Sequence, residues 1–176
     1  HTLEAKLDLP RLQLNKSAIN GNKLSFTGAL EQADESLGVA VQMPAFELNN
    51  KIFQSAEISA DFDLKQSDRA LLAKFVTPLN LNIETQQLQL SDITAKLTLA
   101  HPKLSAPLAA KLAGNMTSDF TEQEVKTSFT AKIDDSEITG NLGVKSFRHP
   151  SYTFDIGANT LDLDKYLHAD WSKQLH

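Results

Sequence analysis

The residue types best suited to catalysis lie close together near the end of the chain, at His149, Ser151 and Asp155. A serine, a histidine and an aspartate form a hydrolase triad only where they converge in space beside an oxyanion hole. The chain has no Gly-x-Ser-x-Gly motif that would raise a serine nucleophile on a strained turn. The sequence therefore favours ordinary turn and strand positions for these side chains, and we expect no enzymatic activity.

Metal-binding patterns are equally sparse. Asp162 and Asp164 resemble half of a calcium loop, but the glycine and the terminal glutamate of that loop are missing. The absence of cysteine excludes disulfides, thiolate catalysis and Cys-based zinc sites. We expect neither a metal nor a cofactor, because no metal-ligand spacing relates the histidines, His1, His101, His149, His168 and His176.

Composition and charge narrow the class of protein. The chain has 176 residues, of which 41% are hydrophobic and 22% charged, as in an ordinary globular domain. Its net charge is −5 and it has no run of basic residues, which argues against a nucleic-acid partner. We expect one β-rich domain over residues 1–176, as an excised segment of a longer protein whose membrane anchor lies elsewhere.

Apolar and polar residues alternate through most of the chain, as in residues 37–43 and 125–133. A period of two is typical of a strand with one dry and one wet face. The pattern predicts an all-β fold, mainly an antiparallel meander of about ten to twelve strands. We expect polar turns between these strands at residues 20–22, 31–36, 49–50 and 134–136.

Two segments have a helical interpretation. Residues 67–76 are rich in good helix formers, Ser67 suits an N-cap, and Pro78 follows the segment. The sequence leaves two alternatives for this segment, a short helix or one more strand. A short C-terminal helix is predicted over residues 165–175, with Asp164 as its cap.

Strict alternation implies a sheet with one apolar face, and two architectures bury such a face. One is a sheet curled into an apolar groove, and the other is a β-sandwich in which two sheets pack together. An exposed apolar face of this extent would mark a site for lipid or for a partner protein. The candidate lipid-facing residues are Ile58, Phe62, Leu108, Leu112, Val125, Phe129, Ile133, Leu142, Phe154 and Ile156.

Residues 146–156 and 161–167, SFRHPSYTFDI and LDLDKYL, resemble the end of the periplasmic region of the AsmA family. In that family a P-x-x-x-F-D-L strand leads into an L-D-L-D-R-Y-L closing motif. Lys165 replaces the more usual arginine. The matching residues are Pro150, Phe154, Asp155, Ile156, Leu161, Asp162, Leu163, Asp164, Tyr166 and Leu167.

The resemblance implies a location and a function. AsmA-like proteins are anchored in the inner membrane of Gram-negative bacteria, and their β-rich periplasmic body looks like the grooves of bridge-like lipid-transfer proteins. This chain would then be a periplasmic segment, tethered to the inner membrane, that offers an apolar β-groove to phospholipid in outer-membrane biogenesis. The alternative is a β-sandwich adhesion or scaffold module that binds a protein or a glycan.

Overall fold

A computed structural model describes residues 2–9 and 11–159, and these form an all-β fold. The strands belong to one antiparallel sheet of eleven strands, within the predicted range of ten to twelve. Their bounds are β1 Thr2–Asp8, β2 Arg11–Leu14, β3 Ala18–Gln32, β4 Glu35–Asn49, β5 Ile52–Gln66, β6 Arg69–Asn82, β7 Gln87–Ala100, β8 Leu108–Asp119, β9 Glu124–Ile133, β10 Ser136–Lys145 and β11 Ser151–Ala158.

The strand order is a meander, as the alternation predicts. From β3 to β11 each strand pairs with the next one along the chain. At the other edge β1 and β2 both pair with β3, β1 beside residues 25–31 and β2 beside residues 19–22. Consecutive pairing needs only short connections, because antiparallel neighbours are joined by hairpins.

Tight turns join the long strands. Asn50 and Lys51 between β4 and β5 have φ of 46° and 66°, and Asp134 between β9 and β10 has φ of 49°. Positive φ in a hairpin turn matches the twist of the flanking strands. The turns predicted within 31–36, at 49–50 and at 134–136 are confirmed. The prediction of a turn at 20–22 is wrong, because these residues continue β3 opposite β4.

The prediction of a helix at residues 67–76 is also wrong. Ser67 and Asp68 form a turn, and β6 begins at Arg69. Leu71 and Phe75 then share one face and pair with residues of both β5 and β7. Pairing on both sides outweighs a helix propensity of tenths of a kcal/mol per residue. The helix predicted for residues 165–175 lies outside the described residues.

The β-sandwich alternative is wrong for the part of the chain that the structure describes. These residues form one open sheet in which every strand contacts only its neighbours. A sandwich would bury the inner faces of two sheets. Here Met43 and Ile93 are the only buried apolar side chains of the described residues. The described residues therefore form a curled, groove-like sheet that no second sheet among them covers.

Candidate functional site

An apolar face extends across the whole sheet. Residues directly opposite each other on antiparallel strands point to the same face, so the register links side chains into rows. A row from β1 to β11 contains no polar residue and is called here the central apolar row. It consists of Leu7, Phe26, Val41, Ala60, Phe75, Ala95, Leu112, Ala131, Ile138 and Ala158.

Two more rows extend the apolar face towards the strand ends. A row of leucines lies on one side of the central apolar row, and a mixed row with one polar member, Ser118, lies on the other. The first consists of Leu3, Leu30, Leu37, Leu64, Leu71, Leu99 and Leu108. The second consists of Leu14, Ile19, Leu48, Phe53, Leu81, Leu88, Ser118, Val125, Val144 and Tyr152.

The opposite face is mostly polar and charged. It carries exposed ion pairs, such as Lys65 with Asp63 at 3.0 Å and Lys6 with Asp8 at 2.9 Å. Exposed pairs of this kind stabilise a fold by only about 0–1 kcal/mol. The charged side chains do favour hydration of this face, so one face of the sheet is polar and the other is apolar.

The sheet curls towards its apolar face. The buried side chains of the described residues all lie on that face, among them Met43 at 5% and Ile93 at 7% exposure. No second layer covers them in the described residues. Their cover must therefore come from other side chains of the same face, which close over one another on the inner side of a curled sheet.

A line of β-bulges, called here the crease, crosses the middle of the sheet. The pairing shifts register between β5 and β6, between β6 and β7, and between β7 and β8. Lys23 and Asp92 lie on this line with φ of 61° and 50°. The Asp92 N–H donates to Oδ1 of Asn115 at 3.0 Å. Since bulges bend strands and increase their twist, the crease accounts for part of the curl.

Two hydroxyl residues on the apolar face belong to the crease. Ser55 is buried and its Oγ donates to the Ala45 carbonyl at 2.6 Å. Thr77 is fully buried and its Oγ1 donates to the Ser91 carbonyl at 2.9 Å. The hydrogen bonds offset the cost of burying these hydroxyls. Sequence reasoning missed both residues, although Pro78 immediately after Thr77 signals an interruption of the ladder.

Aromatic rings lie over glycines on the apolar face. Gly140 is opposite Phe129, and a Cβ at Gly140 would lie 2.6 Å from Cε1 and Cζ of the ring. Phe46 covers Gly21 in the same way, and its ring is tilted by 39° against that of Phe53 with the centroids 5.1 Å apart. Because glycine has no side chain, the rings can occupy the space over these two positions.

Every predicted lipid-facing residue lies on the apolar face, although their contact with lipid stays a prediction. Phe154 in the edge strand β11 is 75% exposed, and Phe62 near the centre is 42% exposed. The full set was Ile58, Phe62, Leu108, Leu112, Val125, Phe129, Ile133, Leu142, Phe154 and Ile156.

The family-like motif is described only in its first part. Pro150 immediately precedes β11, Phe154 lies on the apolar face, and Asp155 lies opposite Asn141 on the polar face. The rest of the motif lies outside the described residues: Leu161, Asp162, Leu163, Asp164, Tyr166 and Leu167.

The serine and aspartate near the chain end do not converge. Ser151 and Asp155 both lie on β11, and four residues of strand separate them by about 13 Å. That separation excludes the hydrogen-bonded triad considered from the sequence with His149. Within residues 2–9 and 11–159 no group of three or more acidic or histidine side chains is placed to hold a metal.

Two carboxylates with lowered pKa values flank the β8–β9 turn. The pKa of Asp119 is well below its usual range because Gln87 and the Thr121 hydroxyl donate to the carboxylate, together with backbone N–H groups. The pKa of Glu124 is lowered mainly by its hydrogen bond from Lys126. Both groups lie outside the apolar rows. They hold a turn and carry no proton suited to acid–base catalysis near neutral pH.

Comparison of the chain with family models, curated proteins and solved structures finds no match. In the described residues no helix is long and apolar enough to cross a membrane.

Proposed function

We propose that this chain is a non-enzymatic, periplasmic segment of an AsmA-like protein whose apolar groove carries the acyl chains of phospholipids between the inner and outer membranes. The observation that carries the proposal is the central apolar row, which crosses the sheet from β1 to β11 without a polar side chain. The family-like motif supports the envelope location and the tether to the inner membrane by an anchor outside this segment.

The rows provide a path along which a lipid tail can move. The central apolar row crosses ten strands, and the nine intervals of about 4.8 Å between them give a path of about 43 Å. Each buried methylene contributes about 0.8 kcal/mol wherever it lies along the path. Because no polar side chain interrupts the central apolar row, one position resembles the next and the barrier between positions is low.

The headgroup stays in water in this mechanism. Within residues 2–9 and 11–159 no second layer covers the groove, so a polar headgroup can remain solvated while its acyl chains lie against leucine, alanine and phenylalanine. The exchange needs no covalent step and no cofactor. The acyl chains of the lipid cover the apolar face of the sheet and exclude water from it.

Mass spectrometry of lipid extracted from the purified chain tests the function with two matched variants. Phe62→Asp places a charge on the apolar face, where Phe62 is 42% exposed, whereas Leu72→Asp places one on the polar face, where Leu72 is 47% exposed. Similar exposure gives the two variants a similar folding cost.

We expect co-purified phospholipid in the unaltered chain and in Leu72→Asp, and at least a severalfold loss in Phe62→Asp at unchanged circular dichroism. The function is refuted if the unaltered chain carries no lipid after expression in a Gram-negative host. Equal lipid loading of the two folded variants would also refute it.

A further inference from the structure

The polar face holds a row of directly opposed like charges. One lysine on each of the strands β6, β7, β8 and β9 lies opposite the lysine of the next strand. Such cross-strand partners have Cβ atoms about 5 Å apart on one face. This lysine row consists of Lys74, Lys96, Lys111 and Lys132.

Acidic residues neutralise only the ends of the lysine row. Asp61 contacts Lys74 at 3.7 Å, and Glu137 contacts Lys132 at 3.3 Å. The two inner lysines, on β7 and β8, have no carboxylate within ion-pair distance among the described residues. The centre of the row therefore has a local excess of positive charge in a chain of net charge −5.

A shallow depression of about 460 Å³ lies along the lysine row. The neighbouring row on the same face is uncharged and begins with Val76, which lies opposite Thr94. Thr94 lies opposite Ala113, and Ala113 lies opposite Thr130. Both threonines line the depression together with the lysines. Apolar residues, among them Val76 and Ala113, also line the depression, and no carboxylate belongs to its lining in the described residues. Ammonium and hydroxyl groups are therefore its only charged or polar side chains.

The lysine row lowers the stability of the sheet. Directly opposed like charges destabilise a sheet, and the spacing of about 5 Å is shorter than the screening length of about 8 Å at physiological ionic strength. The strand pattern requires only some polar residue at each of the four lysine positions, and threonine occupies such positions nearby on the same face. A bound anion would remove the repulsion.

We propose that Lys96 and Lys111, with the hydroxyls of Thr94 and Thr130, bind a phosphate-bearing anion on the polar face. Each ammonium offers three donors to phosphate oxygens, and such charge-assisted hydrogen bonds are about twice as strong as neutral ones. A diphosphate or two adjacent phosphates suit the row better than a single charge. This site lies on the opposite face from the groove and does not depend on the groove function.

Thermal unfolding of the purified chain with sodium pyrophosphate tests the site, against sodium chloride at equal ionic strength. At ten times its dissociation constant, pyrophosphate should raise the unfolding midpoint by about 3–6 °C beyond the chloride value. The double variant Lys96→Gln/Lys111→Gln should lose this increase. In chloride alone at low salt its midpoint should equal or exceed that of the unaltered chain, because the repulsion is gone.

The charge-matched control is Lys16→Gln/Lys51→Gln, which changes two exposed lysines far from the row and should keep the full pyrophosphate effect. The proposal is overturned if pyrophosphate acts no differently from chloride. It is equally overturned if the row variant keeps the increase, or if the control loses as much as the row variant.

Vesicle sedimentation distinguishes the source of the phosphate. If vesicles of phosphatidylglycerol and phosphatidylcholine bind the chain and pyrophosphate competes, the site takes lipid headgroups. If pyrophosphate stabilises the chain and vesicles do not bind, the ligand is a soluble phosphorylated compound. Vesicle binding without any pyrophosphate effect would mean a diffuse membrane contact and would contradict a phosphate site.

Discussion

The ring of Phe129 lies over Gly140 of the neighbouring strand, so closely that a Cβ at Gly140 would lie 2.6 Å from two ring carbons. The contact joins the apolar faces of β9 and β10. It needs a glycine for a steric reason, because any side chain there would push the ring out of the floor.

Gly140→Ala should therefore destabilise the chain. The displaced ring and its off-rotamer packing should lower the free energy of unfolding by about 1–3 kcal/mol. Gly38→Ala is the matched control, since a Cβ there meets nothing closer than 3.7 Å. The control should be neutral or stabilising by up to about 1 kcal/mol. Urea unfolding measures both, and an equal loss in the two variants would contradict the packing argument.

The hydroxyl of Thr77 should contribute more to the free energy of unfolding than the shape of the side chain does. Thr77→Val keeps the volume of this fully buried side chain but removes the hydroxyl that donates to the Ser91 carbonyl at 2.9 Å. We expect a loss of about 1–3 kcal/mol in the free energy of unfolding. Thr27→Val, at an exposed position, is the control and should change it by less than about 0.5 kcal/mol. A stable Thr77→Val variant would show that the crease does not need this bond.

Asp119 should contribute to acid stability. Its pKa is lowered in the folded state, so its hydrogen bonds stabilise the fold fully above the unfolded pKa of about 3.9. That contribution is lost as the pH falls below this value towards the folded pKa. Asp119→Asn should therefore flatten the fall in stability below about pH 4. The measurement is urea unfolding between pH 2.5 and 6.

The control for this prediction is Asp135→Asn, which changes an exposed carboxylate in another hairpin turn. It should leave the acid limb unchanged. If the Asp119 variant keeps the same slope below pH 4 as the unaltered chain, the turn hydrogen bonds do not govern acid stability.

Alternation alone predicted the apolar face, because a period of two assigns each residue of a strand to one side. Val125, Phe129 and Ile133 were placed together from this pattern, and they share the apolar face of β9. The pattern is local, so it needs no knowledge of which strands are neighbours.

The sequence could not predict the crease or the strand lengths. Pro44 suggests a break between two short strands, yet it lies within β4, where the pairing is irregular. Residues 20–22 suggest a turn, yet Gly21 lies in β3 under the ring of Phe46. Both features depend on contacts with a neighbouring strand, which outweigh the turn propensity of glycine, asparagine and proline.

The lysine row was invisible for a related reason. Lys74, Lys96, Lys111 and Lys132 are widely separated in the sequence and meet only through the register of three strand pairs. A shift of one residue in any pair would move a lysine to the other face. No local pattern carries that information.

Site-specific photo-crosslinking to phospholipid tests most directly whether the apolar face carries lipid. A benzophenone amino acid replaces Phe62 in β5, Phe154 in β11, or, as polar-face controls, Leu72 and Thr139. The two apolar positions are six strands apart, or about 29 Å. We expect phospholipid adducts at Phe62 and Phe154 and none above background at the controls. Equal adducts on both faces, or none at either phenylalanine position, would contradict the account.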